Sequence, residues 1–103
     1  MNRTESERHI NILLEMTECI VDEVSSAELV QIDQQWHNEL DAMAFALVFS
    51  TGINNYEISI TWDGAIINYS KKIPKNLLVD IHNGICAGYL KGIMRELEEN
   101  NKK

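Results

Sequence analysis

A chain of 103 residues that is 45% hydrophobic, with one proline and five glycines, has the size and composition of one folded domain rather than a disordered tail. Folding at this length buries about 60 to 70% of the unfolded surface, so neither disulfides nor a structural metal are needed for stability. The formal net charge of −7 disfavours direct nucleic-acid binding. Nor does any stretch approach the roughly 18 apolar residues of a membrane span, and Met1 to Glu7 is polar, without the apolar centre of a secretion signal.

The charge is unevenly placed. Every Lys and Arg lies in Arg3 to Arg8 or in Lys71 to Lys103. From His9 to Ser70 the only charged residues are Glu15, Glu18, Asp22, Glu23, Glu28, Asp33, Glu39, Asp41, Glu57 and Asp63. Few cations lie close in sequence, so any surface these carboxylates share is strongly negative.

In chain order, Ile10, Leu13, Leu14, Thr17, Ile20, Val21 and Val24 recur at the spacing of an amphipathic helix, predicted over Ser6 to Val24 with Ser6 as N-cap. Glu28 to Gln34 alternates weakly around Val30 and Ile32 and predicts a strand, with helix through Trp36 as the alternative. Asp41 to Ser50 is a strand with Met43, Phe45, Leu47 and Phe49 on one face and Ala42, Ala44, Ala46 and Val48 on the other. Tyr56 to Trp62 alternates likewise, and Asp63-Gly64 then predicts a two-residue type I′ hairpin. That turn would set Trp62 opposite Ala65, Ile60 opposite Ile67 and Ile58 opposite Tyr69. Pairing Phe49 with Tyr56 aligns the preceding strands, Leu47 with Ile58 and Phe45 with Ile60.

Pro74 opens a last helix running to about Glu98. Its apolar residues, Leu77, Leu78, Val79, Ile81, Ile85, Cys86, Tyr89, Leu90, Ile93 and Leu97, cover more than half of its circumference. One sheet face cannot cover that arc, so the helix must also meet the first helix or a second subunit. The expected fold is α+β: an N-terminal helix, an antiparallel meander of three to four strands and a long C-terminal helix, both helices on one sheet face. Residues 1–103 are expected to form a single compact domain, frayed at about 1–5 and 99–103.

Gly84, Gly88 and Gly92 recur every fourth residue at a helix-propensity cost of about 1 kcal/mol each, which suggests close approach of another backbone. That backbone is either the first helix or a second copy in a homodimer. Ile12, Met16 and Cys19 form a second apolar strip on the first helix, beside the acidic strip Glu15, Glu18 and Asp22. An apolar seam rimmed by charge has the composition of a partner site.

Cys19 and Cys86, with no CxxC spacing, are expected to be reduced thiols of a cytoplasmic protein. His37, Glu39 and Asp41 alternate and could hold a metal or act as an acid–base set, although a solvated connection is the plainer reading. His82 and Cys86 are four apart with no third ligand in view. Lys71, Lys72 and Lys75 cluster without interleaved aromatics, a thin basis for a phosphate site. No nucleotide, nucleophile or zinc motif is present, so neither a cofactor nor an enzyme is expected.

The leading expectation is a non-catalytic protein that binds and modulates or inhibits a protein partner with a basic surface, such as one that holds nucleic acid. Its binding residues would be Glu15, Glu18, Asp22, Glu23, Glu28, Asp33, Glu39 and Asp41, with the Ile12, Met16 and Cys19 strip; literal mimicry of nucleic acid is the narrower form. The alternatives are a homodimeric structural or assembly protein and a small-ligand or metal binder.

Overall fold

The computed structural model describes residues 3–101, with side chains for 7–99. Two helices, α1 (Arg3–Glu23) and α2 (Lys75–Asn101), flank four strands: β1 (Glu28–His37), β2 (Ala42–Ser50), β3 (Asn55–Thr61) and β4 (Ile66–Tyr69). The strands form one antiparallel meander in the order β1-β2-β3-β4. The expected α+β architecture is the one observed. Residues 1–2 and 102–103, expected to fray, lie outside the described residues, whereas 3–5 and 99–101 are helical. Since α1 starts at Arg3, Ser6 lies inside the helix and is not its N-cap. Pro74 likewise precedes α2, where its carbonyl accepts the first helical bond, from the Leu78 N–H at 3.0 Å.

The core lies between the helices and one sheet face. Phe45, Leu47, Phe49, Ile58 and Ile60 meet Leu13, Ile20 and Val24 of α1 and Leu77, Ile81 and Ile85 of α2. The β2–β3 register agrees with the sequence pattern, Phe49 opposite Tyr56, Leu47 opposite Ile58 and Phe45 opposite Ile60. On the other face, Ala42, Ala44 and Ala46 are buried although both helices lie elsewhere, because their methyl groups sink between longer cross-strand neighbours such as His37, Gln35 and Asp33.

The β3–β4 turn differs from expectation by one residue. The Thr61 N–H donates to the Ala65 carbonyl at 2.9 Å and the Gly64 N–H to the Thr61 carbonyl at 3.1 Å, which closes a three-residue loop over Trp62, Asp63 and Gly64. Only Gly64 takes positive φ, at 87°, the geometry of a type I turn followed by a left-handed residue. The Thr61 hydroxyl explains the preference: it donates to the Asp63 carboxylate, and its oxygen accepts from the Ala65 N–H at 3.2 Å. A bulge absorbs the extra loop residue. Ile58 still faces Tyr69, but Ile60 faces Ile66, not Ile67, and Ile66 is the residue that packs on the core.

The glycine flank of α2 is occupied by α1. A Cβ added at Gly84 would fall on the Ile20 backbone, one at Gly88 on the Met16 backbone, and one at Gly92 would stand 3.2 Å from Ile12 Cγ1. The two helices therefore run antiparallel, with Ile12, Met16 and Ile20 stepping along Gly92, Gly88 and Gly84. This contact overturns two expectations. Gly84, Gly88 and Gly92 are buried within the chain and are not a dimer contact. Ile12, Met16 and Cys19 are 2%, 0% and 7% exposed, so they belong to the interior and offer no apolar strip to a partner. The periodicity of α1 could not separate these strips, because a helix held by a sheet on one side and a glycine-lined helix on another buries two adjacent faces.

Candidate partner-binding surface

With α2 on one side of α1 and the sheet beneath it, the remaining flank is Ile10, Leu14 and Val21, which lies toward β1 by helix geometry. Leu14 and Val21 were predicted to be core, yet are 50% and 46% exposed. Strand β1 is an edge strand, exposed over nearly its whole length. Ile32 and Trp36 pair with Leu47 and Met43 and so share their helix-facing side, yet α1 lies on β2 and leaves both exposed. Val30 is the extra residue of a bulge between Leu29 and Gln31, and is also exposed. The outer edge of β1 retains unpaired main-chain groups able to accept another strand.

Carboxylates rim this side of the molecule. Glu18, Asp22 and Glu23 are exposed on α1, whereas Glu28 and Asp33 of β1 pair with Ser50 and Ala46 and so are exposed on the sheet face away from the helices, where Asp33 accepts from Gln31 Nε2 at 2.7 Å. From His9 onward neither element carries a Lys or Arg. Three more of the acidic residues singled out by sequence also lie away from this side. Glu15 is 8% exposed and forms an ion pair with Arg95, which removes it from the free acidic surface. Glu39 and Asp41 lie on the β1–β2 turn, at the other end of β1 from Glu28.

The two ion pairs that join the helices among the described residues differ in environment. Arg8 Nε meets Glu96 at 2.7 Å with both side chains partly exposed, while Arg95 covers an almost buried Glu15. Arg95→Leu leaves the Glu15 charge unpaired and is expected to cost about 2 kcal/mol, whereas Arg8→Leu is expected to cost under about 1 kcal/mol, as exposed pairs do. Urea denaturation of the two variants checks this; equal losses would mean that Glu15 turns out to solvent.

The β1–β2 turn also engages His37. Its Nδ1 accepts from the Leu40 N–H at 3.3 Å, and Asp41 ends the turn in the left-handed region at φ 49°, which aspartate tolerates. No group of three potential metal ligands occurs among the described residues. His82 Nε2 and Cys86 Sγ approach to 3.7 Å on the surface of α2.

Sequence reasoning missed the contact between the start of α1 and the β3–β4 turn. His9 stacks on Trp62 with ring centroids 4.0 Å apart and planes 8° from parallel, and Arg8 stands 5.7 Å from the same ring. Beside the stack, Leu40, Asp41, Thr61 and Asp63 line an open recess of about 430 Å³. Nothing in the local pattern pairs His9 with Trp62, which are brought together by the packing of α1 on the sheet.

No helix among the described residues is long and apolar enough to cross a membrane. Comparison with protein-family models, curated proteins and solved structures finds no match for this chain.

Proposed function

We propose that this protein is a non-catalytic binder that docks a basic protein partner on the side formed by α1 and β1, and thereby modulates or blocks that partner. The observation that carries the reading is the coincidence, along the α1–β1 edge, of the exposed carboxylates Glu18, Asp22 and Glu23 with exposed Leu14, Val21, Ile32 and Trp36, on two elements that carry no Lys or Arg after Arg8. Each component has a physical role. Carboxylates steer a basic partner and raise its association rate, while a central apolar strip flanked by charge limits dissociation. Trp36 is the strongest anchor, since a large, partly exposed aromatic contributes disproportionately when a partner covers it. A partner surface that ordinarily holds nucleic acid has the right charge, and mimicry of nucleic acid is the narrower form of the proposal.

The test is capture of a partner from native-host lysate, with Glu18→Lys/Asp22→Lys/Glu23→Lys and Trp36→Ala chains in parallel. A stoichiometric partner should be retained at low salt, be released as salt rises, and fall at least about tenfold in yield with either variant. Retention by both variants, or no stoichiometric partner at any salt, would sink the proposal.

A further inference from the structure

We infer that the partner is held by strand addition, in which an extended segment with alternating apolar and basic side chains pairs with the outer edge of β1 as a fifth strand. The inference rests on the α1–β1 reading and specifies the occupant of that side. The sheet has two edges, and they are guarded unequally. Short length, proline, lysine and bulges all keep an edge from pairing. Strand β4 is four residues long and is followed directly by Ser70, Lys71 and Lys72. Strand β1 is ten residues long and carries no proline, lysine or arginine. Its one such device is the bulge at Val30, near its start, and from Gln31 to His37 its register with β2 is unbroken. In an antiparallel ladder alternate residues turn both N–H and C=O away from the neighbouring strand, so this stretch presents about three or four of them outward.

Side chains on the two faces of that edge select the occupant. On the helix side stand Ile32 and Trp36, 46% and 38% exposed, with Leu14 and Val21 of α1 toward them. Glu18 follows Leu14 by four residues and so shares its flank of the helix. On the opposite sheet face Asp33 is exposed, with Glu28 beyond the bulge. A body docked only on the helix side would leave Asp33 unmatched, whereas a strand added edge-on projects side chains alternately to both faces. Those on the helix side meet apolar surface and those opposite meet a carboxylate, so the occupant alternates apolar residues with lysine or arginine. A second copy of β1 does not fit, because it brings another Asp33 and no cation, and like charges across an edge oppose pairing. Nor does β4 of another copy, which is shorter than the open edge. The acidic edge thus repels its own copies and accepts a basic strand.

The probe is an octapeptide of alternating valine and lysine, titrated into the full chain and read by calorimetry and amide hydrogen exchange. Binding at low salt is expected with a dissociation constant below about 1 mM, together with slowed exchange at alternate amides between Gln31 and His37. The same eight residues in two blocks, valines then lysines, keep the charge but lose the alternation, and should bind at least about tenfold more weakly. N-methylating either all the lysines or all the valines removes one alternate set of donors. One of these two peptides should lose at least about tenfold in affinity and the other should bind like the parent. Asp33→Lys should cost at least about tenfold as well, with the melting temperature unchanged because Asp33 is exposed. No binding at about 1 mM, equal binding by the two N-methylated peptides, or indifference to Asp33→Lys overturns strand addition. The α1–β1 reading fails separately, by the absence of a stoichiometric partner in lysate capture. A captured partner that is lost with Trp36→Ala but kept with Asp33→Lys retains that reading and removes the strand.

Discussion

Replacing Gly88 with alanine is expected to lower the melting temperature by about 12 to 24 °C, although alanine is the better helix former. The intrinsic gain is about 1 kcal/mol. Against it stands the new methyl group, which would coincide with the Met16 backbone. Backbone cannot rotate away as a side-chain tip can, so α1 and α2 must separate and lose contact along Ile12, Met16 and Ile20. A net loss of about 3 kcal/mol, at about 4 to 8 °C per kcal/mol for a domain of this size, gives the stated shift. Gly84→Ala should behave similarly, for the same reason at Ile20. At Gly92 the nearest atom is the Ile12 side chain at 3.2 Å, so Gly92→Ala should be nearly neutral. Thermal unfolding by circular dichroism separates the three. A Gly88→Ala chain as stable as the parent would mean that the helices stand further apart than described.

The second large effect is expected at Leu47. Leu47→Ala should cost about 3 kcal/mol, and Ile32→Ala under about 1 kcal/mol, although the two residues are cross-strand partners on the same sheet face. Leu47 is fully buried beneath the helices, so its loss leaves a cavity in a packed interior. Ile32 is 46% exposed and borders open space, where water enters and no cavity forms. Chemical denaturation of both variants measures the contrast. Equal losses would show that β1 is covered in solution, and a concentration-dependent Ile32→Ala loss would show that a second copy covers it.

The alternation of Met43 to Phe49 and of Tyr56 to Trp62 was enough to place β2 and β3 in register, because a two-residue period leaves one inward set and a slip would expose all of it. The β3–β4 turn was legible in kind but not in length. Asp-Gly suits a two-residue loop, and the third residue is admitted by the Thr61 hydroxyl, whose bonds to Asp63 and Ala65 exist only when the turn closes that way. Of the candidate surface, the carboxylates Glu18, Asp22 and Glu23 were found from the charge distribution, whereas Glu28 and Asp33, found in the same way, lie on the other face of β1. Trp36 and Ile32 were not, since strand pattern alone gives no sign that α1 stops at β2.

Composition, charge order and hydrophobic period thus determined by themselves both helices, the three-stranded meander from Asp41 to Ser70 and the acidic character of the first two thirds of the chain, all of which depend on neighbours along the sequence, while Glu28 to Trp36 stayed open between strand and helix. Only the tertiary structure decided which apolar strip of each helix is interior. Ile12, Met16 and Cys19 are buried because three glycines let α2 come close, and Leu90 and Leu97 stay exposed because that approach turns them away from the sheet. A helix with two apolar faces carries no local mark of which face is filled; that depends on the neighbour able to approach, and here the glycines of α2 admit α1.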